Sequence, residues 1–275
     1  MDKFKTILFL AIFPIAFYAC KKESHAEIEE NNKTCLMSKQ FAKDDTTTYE
    51  YNNLGRVIRS TRLNVAAGSN FKSTETFDYT YTPNQIISKG KTSSGPEFAD
   101  TLNVKDGLVM EAINILTQHT NQYSERTRSQ RFFIYNNEGY VTKDSTIRVI
   151  SYSNRMYSDT AIIVANYIYK DGNLSRLNGV FSTLKNNVLE VLFRSTSNYE
   201  YYTDKLNTVH DKTDFIFKPN RNLIKRIAVS YNGSIDAFNY NYSYEFDKNG
   251  LVTRSIEKYD SGYVTSDFGY EYVCK

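Results

Sequence analysis

Phe238-Asn-Tyr240-Asn-Tyr242-Ser-Tyr244-Glu-Phe246, followed at once by Asp247-Lys248-Asn249-Gly250-Leu251-Val252-Thr253-Arg254, carries the clearest structural signal in the chain. Five aromatic residues alternate with polar ones, the pattern stops at a turn, and a second extended arm begins. Successive side chains of a strand point to opposite faces, so a period of two puts every ring on one face. Asp, Asn and Gly between the arms supply the positive φ that a tight hairpin or its bulge requires.

Variants of this unit recur along the chain. They are Tyr49-Glu-Tyr51-Asn-Asn-Leu-Gly55-Arg-Val57, Phe77-Asp-Tyr79-Thr-Tyr81-Thr-Pro83-Asn84 and Leu102-Asn-Val104-Lys-Asp106-Gly107-Leu108-Val109. Phe133-Ile-Tyr135-Asn-Asn-Glu-Gly139-Tyr-Val141, Tyr167-Ile-Tyr169-Lys-Asp171-Gly172-Asn-Leu174, Phe215-Ile-Phe217-Lys-Pro219-Asn220 and a truncated Phe268-Gly-Tyr270-Glu-Tyr272 continue the series. Most are separated by roughly 25 to 35 residues, the spacing of a repeat architecture with room for two strands per unit. No helix is expected: Val188-Leu-Glu-Val-Leu-Phe193 is β-rich and flanked by polar residues. Residues 204–214 depart most from the repeat and read as a long loop with a short helical turn. The expected fold is all-β, an antiparallel meander of hairpins forming a twisted, curled sheet, open or partly closed like a barrel.

The Asp/Asn/Gly turns do not have calcium-loop spacing. An EF-hand loop needs Gly at position 6 and a bidentate Glu at 12, whereas counting from Asp247 puts Gly250 at position 4 and Lys258 at 12. Other chemistry is sparse. The histidines are His25, His119 and His210, and metalloprotease, nucleophile-elbow, phosphate-loop and Cys-x-x-Cys patterns are missing from the sequence. His210-Asp211-Lys-Thr-Asp214 reads as a solvated loop, Arg126-Thr-Arg128-Ser-Gln-Arg131 as a solvated strand face. Glu190 and Glu200 could serve as a glycosidase pair if the sheet brought them together. A net charge of +3 argues against nucleic acid. No cofactor, metal or catalytic residue is expected.

The N-terminus carries an export signal. Met1-Asp-Lys3-Phe-Lys5 is a short basic region, and Thr6 to Tyr18 is an apolar run too short for an ordinary span. Phe17-Tyr18-Ala19-Cys20 resembles the lipobox of Gram-negative lipoproteins, which implies a signal peptide over 1–19 and acylation of Cys20. Several acyl chains give a stable anchor where one is marginal. Residues 20–34 then form the lipidated cysteine and a flexible polar tether, and 35–275 a single repeat domain. Lys21 after the cysteine resembles outer-membrane sorting, with the domain periplasmic or surface-exposed.

Cys35 and Cys274 remain at the two ends of the folded part. In an oxidising compartment such a pair is a disulfide candidate, two free thiols being the alternative. Joining them needs a sheet curled towards closure, or an N-terminal segment that crosses to the last strand.

The unit aromatic-x-aromatic-(Asp/Asn)-x-x-Gly-x-(Leu/Val)-x-(Lys/Arg), as in Tyr49 to Arg59 and Tyr244 to Arg254, resembles the YD repeats of RHS-type surface proteins. Over 35–275 the chain looks like a family of uncharacterised Gram-negative lipoproteins of loosely spaced YD-like hairpins, with a cysteine near the domain start and a closing Tyr270-Glu-Tyr272-Val-Cys274-Lys275. That resemblance implies a curled antiparallel sheet and no activity. Asp45-Thr46-Thr47, Asp100-Thr101-Leu102, Asp144-Ser145-Thr146 and Asp159-Thr160-Ala161 also resemble O-glycan acceptor triplets of envelope lipoproteins, with Thr46, Thr101, Ser145 and Thr160 as acceptors.

The functional expectation is a lipid-anchored, non-enzymatic envelope module that binds a protein or glycan partner or is structural. The alternative is a carrier of an apolar or glycan ligand on an aromatic concave face, with a hydrolase third.

Overall fold

Sixteen strands follow one another in chain order. They are β1 (Cys35–Ala42), β2 (Asp45–Tyr51), β3 (Val57–Val65), β4 (Lys72–Tyr81), β5 (Gln85–Thr92), β6 (Glu97–Lys105), β7 (Leu108–His119) and β8 (Ser124–Tyr135). The series continues with β9 (Val141–Tyr152), β10 (Ser158–Lys170), β11 (Asn173–Lys185), β12 (Val188–Leu206), β13 (Asn222–Tyr231), β14 (Phe238–Phe246), β15 (Val252–Tyr259) and β16 (Val264–Cys274). This computed structural model describes residues 35–65, 72–93, 95–119, 123–154, 158–185, 188–209, 215–232 and 238–274. Residues 36–273 form one compact unit, and a disulfide joins Cys35 to Cys274.

Each strand pairs with its sequence neighbour, and β1 also pairs with β16, so the ladder returns on itself as a closed barrel. The expectation of an open or partly closed sheet is thereby corrected. Closure leaves no strand edge unpaired, and only full closure does that. Lys39 Nζ meets Glu271 Oε1 at 3.2 Å between β1 and β16, a contact between residues 232 apart in sequence.

The repeat has a physical basis in its turns. In Asn52–Gly55 the Asn52 side-chain oxygen accepts from the amides of Leu54 and Arg56 at 3.0 Å each. Asn136 does the same for Glu138 and Tyr140, and Asp247 for Asn249 and Leu251. Those backbone bonds, the one from Leu251 foremost, hold the Asp247 carboxyl below the usual carboxylate range. The Asp/Asn of the motif is therefore occupied by its own turn. Asp106-Gly107 and Asp171-Gly172 make the tightest version, with positive φ at both residues, the signature of a two-residue hairpin.

The residue after the turn is locked by a tyrosine at the end of the next strand. At each such hairpin the register shifts next to the last aromatic, between Glu50 and Tyr51, Ile134 and Tyr135, Ile168 and Tyr169, and Glu245 and Phe246. This bulge sets one residue of the outgoing strand outside the ladder, and turns Val57, Val109, Val141 and Val252 to the inside, where they are 0–2% exposed. A tyrosine of the adjacent strand then donates its hydroxyl to the carbonyl there. Tyr81 reaches Val57 O at 2.7 Å, Tyr135 reaches Val109 O at 2.7 Å, Tyr201 reaches Leu174 O at 2.7 Å and Tyr272 reaches Val252 O at 2.9 Å.

One expected hairpin is absent. Phe215-Ile-Phe217-Lys-Pro219-Asn220 is not a strand but part of the β12–β13 connection, which packs into the barrel at the end that carries the short turns. Phe215 lies edge-on to Tyr79 and Tyr81, with centroids 6.0 Å away, and Phe217 contacts Tyr167 at 5.3 Å. The segment is pinned by Asn220 Oδ1, which accepts from Leu174 N at 2.8 Å, and by Lys218 Nζ, which donates to the Glu138 carbonyl at 3.2 Å. Residues 204–206 belong to β12, and 207–209 are loop; the rest of the loop expected over 204–214 lies outside the described residues.

Candidate functional site

The registers assign every strand an inner and an outer face. From Tyr49, the ladder carries the inner face through Ser60, Phe77, Gly90, Phe98 and Leu116 and onward to Thr127 and Ile150. Continued around the barrel it reaches Tyr240, Tyr242 and Tyr244, and then Phe268, which lines the same cavity as Tyr49. The alternating rings of β14 thus face the lumen, and Asn239, Asn241, Ser243 and Glu245 face outward.

The outer face is polar over most of the circumference. Arg59 pairs with Asp78 at 2.7 Å, and Arg254 with Asp267 at 2.7 Å and Glu245 at 3.0 Å, all between outward positions of neighbouring strands. Lys89, Thr61, Thr76 and Ser243 occupy outward mid-strand positions. An apolar sector runs over β7–β12, where Ile113 and Ile115 are outward and Phe132, Ile134, Ile147, Ile168, Leu184, Leu189 and Val191 are 40–56% exposed. Single apolar residues such as Phe41 and Leu63 lie outward elsewhere. A barrel that crosses a bilayer needs an apolar band on every strand, and a basic residue at the midplane costs about 2–4 kcal/mol. This barrel has no such band among the described residues.

Inside, strands β1–β7 enclose a cavity of about 540 Å³ whose floor is Phe215 and Ile216. Rings of Tyr49, Phe77, Tyr79 and Phe268 contribute to its wall, together with the charged residues Asp45, Arg62, Glu75 and Asp100. Arg62 Nε donates to Asp45 Oδ2 at 2.8 Å, and that bond raises the guanidinium above its ordinary value. Asp45 Oδ1 is buried and has no partner among the described residues. Asp100 accepts from Ser88 Oγ at 2.9 Å and Asn114 Nδ2 at 2.8 Å. Glu75 stands opposite Arg62 in the register.

Two further polar clusters lie on the lumen face. Asp144, 2% exposed, accepts from Arg131 Nη2 and from the Tyr167 hydroxyl, each at 2.6 Å. Burial, helped by the Asp144 carboxylate, pushes the Tyr167 hydroxyl well above its normal range. Arg131 was expected on a solvated face with Arg126 and Arg128; those two are exposed, whereas Arg131 turns inward over the ring of Phe133. In the other cluster Tyr242 donates to Glu257, which also accepts from Thr265.

The expected residues fall as follows. Cys35 and Cys274 are bonded, whereas Cys20, the tether, His25 and the His210–Asp214 cluster lie outside the described residues. His119 ends β7, its Nδ1 2.8 Å from Ser124 Oγ. No cluster of metal-ligating side chains occurs among the described residues. Glu190 and Glu200 do not form a pair. Glu190 aligns with the inward Thr183, and Glu200 lies outward beside Arg226 at 3.6 Å. Thr46, Thr101, Ser145 and Thr160 sit on β2, β6, β9 and β10 in outward register, each after an aspartate that faces the lumen. The Asp-Ser/Thr pattern therefore coincides with in–out alternation of the wall. The lumen itself was not anticipated, although Glu75 is in phase with Phe77, Tyr79 and Tyr81, which marks an acid on the ring face.

No family model matches this chain, and no curated protein does. Solved structures do. A porin-like protein from Bacteroides vulgatus ATCC 8482 superposes with a TM-score of 0.59 at 15% identity, covering 86% of this chain and 98% of that one. A porin-like protein from Bacteroides uniformis ATCC 8492 gives 0.49 at 15% identity with the same coverage. The likeness is one of fold. It agrees with the closed sixteen-strand antiparallel barrel and not with the RHS-type repeat shell that the YD-like turns resemble.

Proposed function

We propose that this chain is a non-enzymatic, lipid-anchored β-barrel of the bacterial envelope that stands in water and binds a small ligand in its lumen. The observation that carries the reading is the inversion of polarity. Rings and a cavity of about 540 Å³ lie inside, while ion pairs and hydroxyls cover the outside apart from the apolar sector of β7–β12. Pockets of this size with a few convergent polar groups are the usual form of small-molecule sites. The outer-membrane location, periplasmic or surface-exposed, follows from the lipobox-like Phe17–Cys20 and from Lys21, with the lipid as the membrane partner. The aromatic concave face of the alternative reading becomes an enclosed wall, so a ligand sits within the barrel rather than against an open sheet. O-glycans at Thr46, Thr101, Ser145 and Thr160 would decorate the outside. No nucleic-acid partner, cofactor or metal is proposed.

The test is limited proteolysis of native outer membranes with a lysine-specific protease, which has sites at Lys21, Lys22 and Lys33 ahead of β1. A tethered barrel is released into the soluble fraction without detergent, with its C-terminus intact by mass. A fragment that stays in the pellet after cleavage at those sites would mean that the strands themselves hold the membrane, and would end this reading. Labelling of intact cells with an impermeant lysine reagent then separates the surface from the periplasm.

A further inference from the structure

We infer that the cavity takes a ligand presenting a protonated amine together with ring hydroxyls, an amine-bearing saccharide, rather than an acyl chain or an acidic sugar. This rests on the proposal that the lumen binds a ligand, and names its class. The wall is rich in acceptors. Asp45, Glu75 and Asp100 face Arg62, the basic residue of the lining, which is already engaged by Asp45. Asp45 Oδ1 is buried without a partner among the described residues, and Glu75 stands opposite Arg62 and acts on it through its charge. Carboxylates on a low-dielectric wall favour a hydrogen-bond donor from a ligand, a cationic one most of all. A long apolar chain would strip water from these carboxylates and return nothing.

The rings supply the other half of the recognition. Phe77 and Phe98 stand 5.5 Å apart on the inner face, and Tyr49, Tyr79 and Phe268 share the wall with the carboxylates. Aromatic faces beside acceptors suit a ring with one apolar face and hydroxyls at its rim, and they attract an ammonium group by cation–π contact. The acidity is not local to the cavity. Glu257 also faces inward, as do Asp159 and Glu190 at the end opposite the short turns, against the inward Arg148. Asp144 is matched by Arg131, and the whole chain carries a net charge of +3. A cleft with an excess of one sign and low-dielectric walls concentrates ligands of the other.

The experiment is calorimetric titration of the purified full chain with four probes: a glucosamine trimer, its N-acetylated counterpart, spermidine and dodecanoate. The glucosamine trimer should bind best and weaken as salt is raised. Glu75→Gln and Asp100→Asn should each weaken it by about tenfold, the value of one charge-assisted hydrogen bond. Asp78→Asn, on the outer face of the same strand as Glu75, should leave binding unchanged, and matching thermal melts show that the variants fold. Tighter binding of dodecanoate or of the acetylated trimer overturns the class assignment and leaves the lumen reading standing. Spermidine binding as tightly as the trimer removes the saccharide part. Silence with all four probes overturns both.

Discussion

Removing the hydroxyl of Tyr81 tests the device that turns a repeat into a barrel. Tyr81 donates to the Val57 carbonyl at 2.7 Å, at the bulge where Val57 is 1% exposed. In Tyr81→Phe the ring keeps its edge-on contact with Phe215, so packing is preserved and the carbonyl loses its donor. Leaving a buried acceptor unsatisfied costs about 1–3 kcal/mol, and the gain from a less polar ring offsets part of it. We expect a loss near 1.5 kcal/mol, or roughly 3–6 °C in Tm for a domain of this size. Tyr263→Phe is the control: that residue is 70% exposed and should change stability by less than about 0.5 kcal/mol. Urea denaturation followed by tyrosine fluorescence measures both. Tyr272→Phe should repeat the effect, and the double variant should be additive because the two bulges are well separated. If Tyr81→Phe and Tyr263→Phe are equally stable, the hydroxyl-to-carbonyl clamp does not hold the bulge, and the explanation of the motif fails.

Four other outcomes are expected. Reducing Cys35–Cys274, or replacing Cys274 by Ser, should destabilise the folded chain by up to about 5 kcal/mol on the loop-entropy argument, visible as a lower Tm with dithiothreitol. Arg131→Met leaves Asp144 with Tyr167 alone in a buried setting and should cost about 3–5 kcal/mol; an unchanged urea midpoint would show that the ion pair is dispensable. Burial above all pushes Tyr81 and Tyr272 up to about 12. A hydroxyl whose folded value is raised contributes its stability fully below the unfolded value, near 10, and loses it as pH rises towards 12. The barrel should therefore unfold between about pH 10 and 12, with tyrosinate absorbance at 295 nm rising in step with loss of circular dichroism. An intact-mass excess in protein from the native host over cytosolic protein would mark glycans on the outward hydroxyls, and equal masses would exclude them.

The hairpins were legible because the information is local. Tyr49-Glu-Tyr51-Asn-Asn-Leu-Gly55 announces ring phase, turn oxygen and positive φ within seven residues, and β2, the turn and β3 lie where that reading puts them. Phe215-Ile-Phe217 was misread for the same reason. It has the alternation of a strand, but its neighbours in space are Tyr79, Tyr81 and Tyr167, far away in the chain. The Asp-Ser/Thr triplets show a second limit, since a spacing of one residue puts the aspartate and the hydroxyl on opposite faces of a wall, and only the register says which face is inside.

What a period of two and a turn residue can dictate is readable along the chain: antiparallel hairpins, rings on one face, and a cysteine at each end of the folded part. Closure was decided by the tertiary structure, because an open and a closed meander share every local hairpin and differ only in whether β1 finds β16. The identity of the lumen followed from that closure. Once the ring face turned inward it took Asp45, Glu75 and Asp100 with it, and side chains that would have been scattered over one face of a sheet became the wall of one cavity.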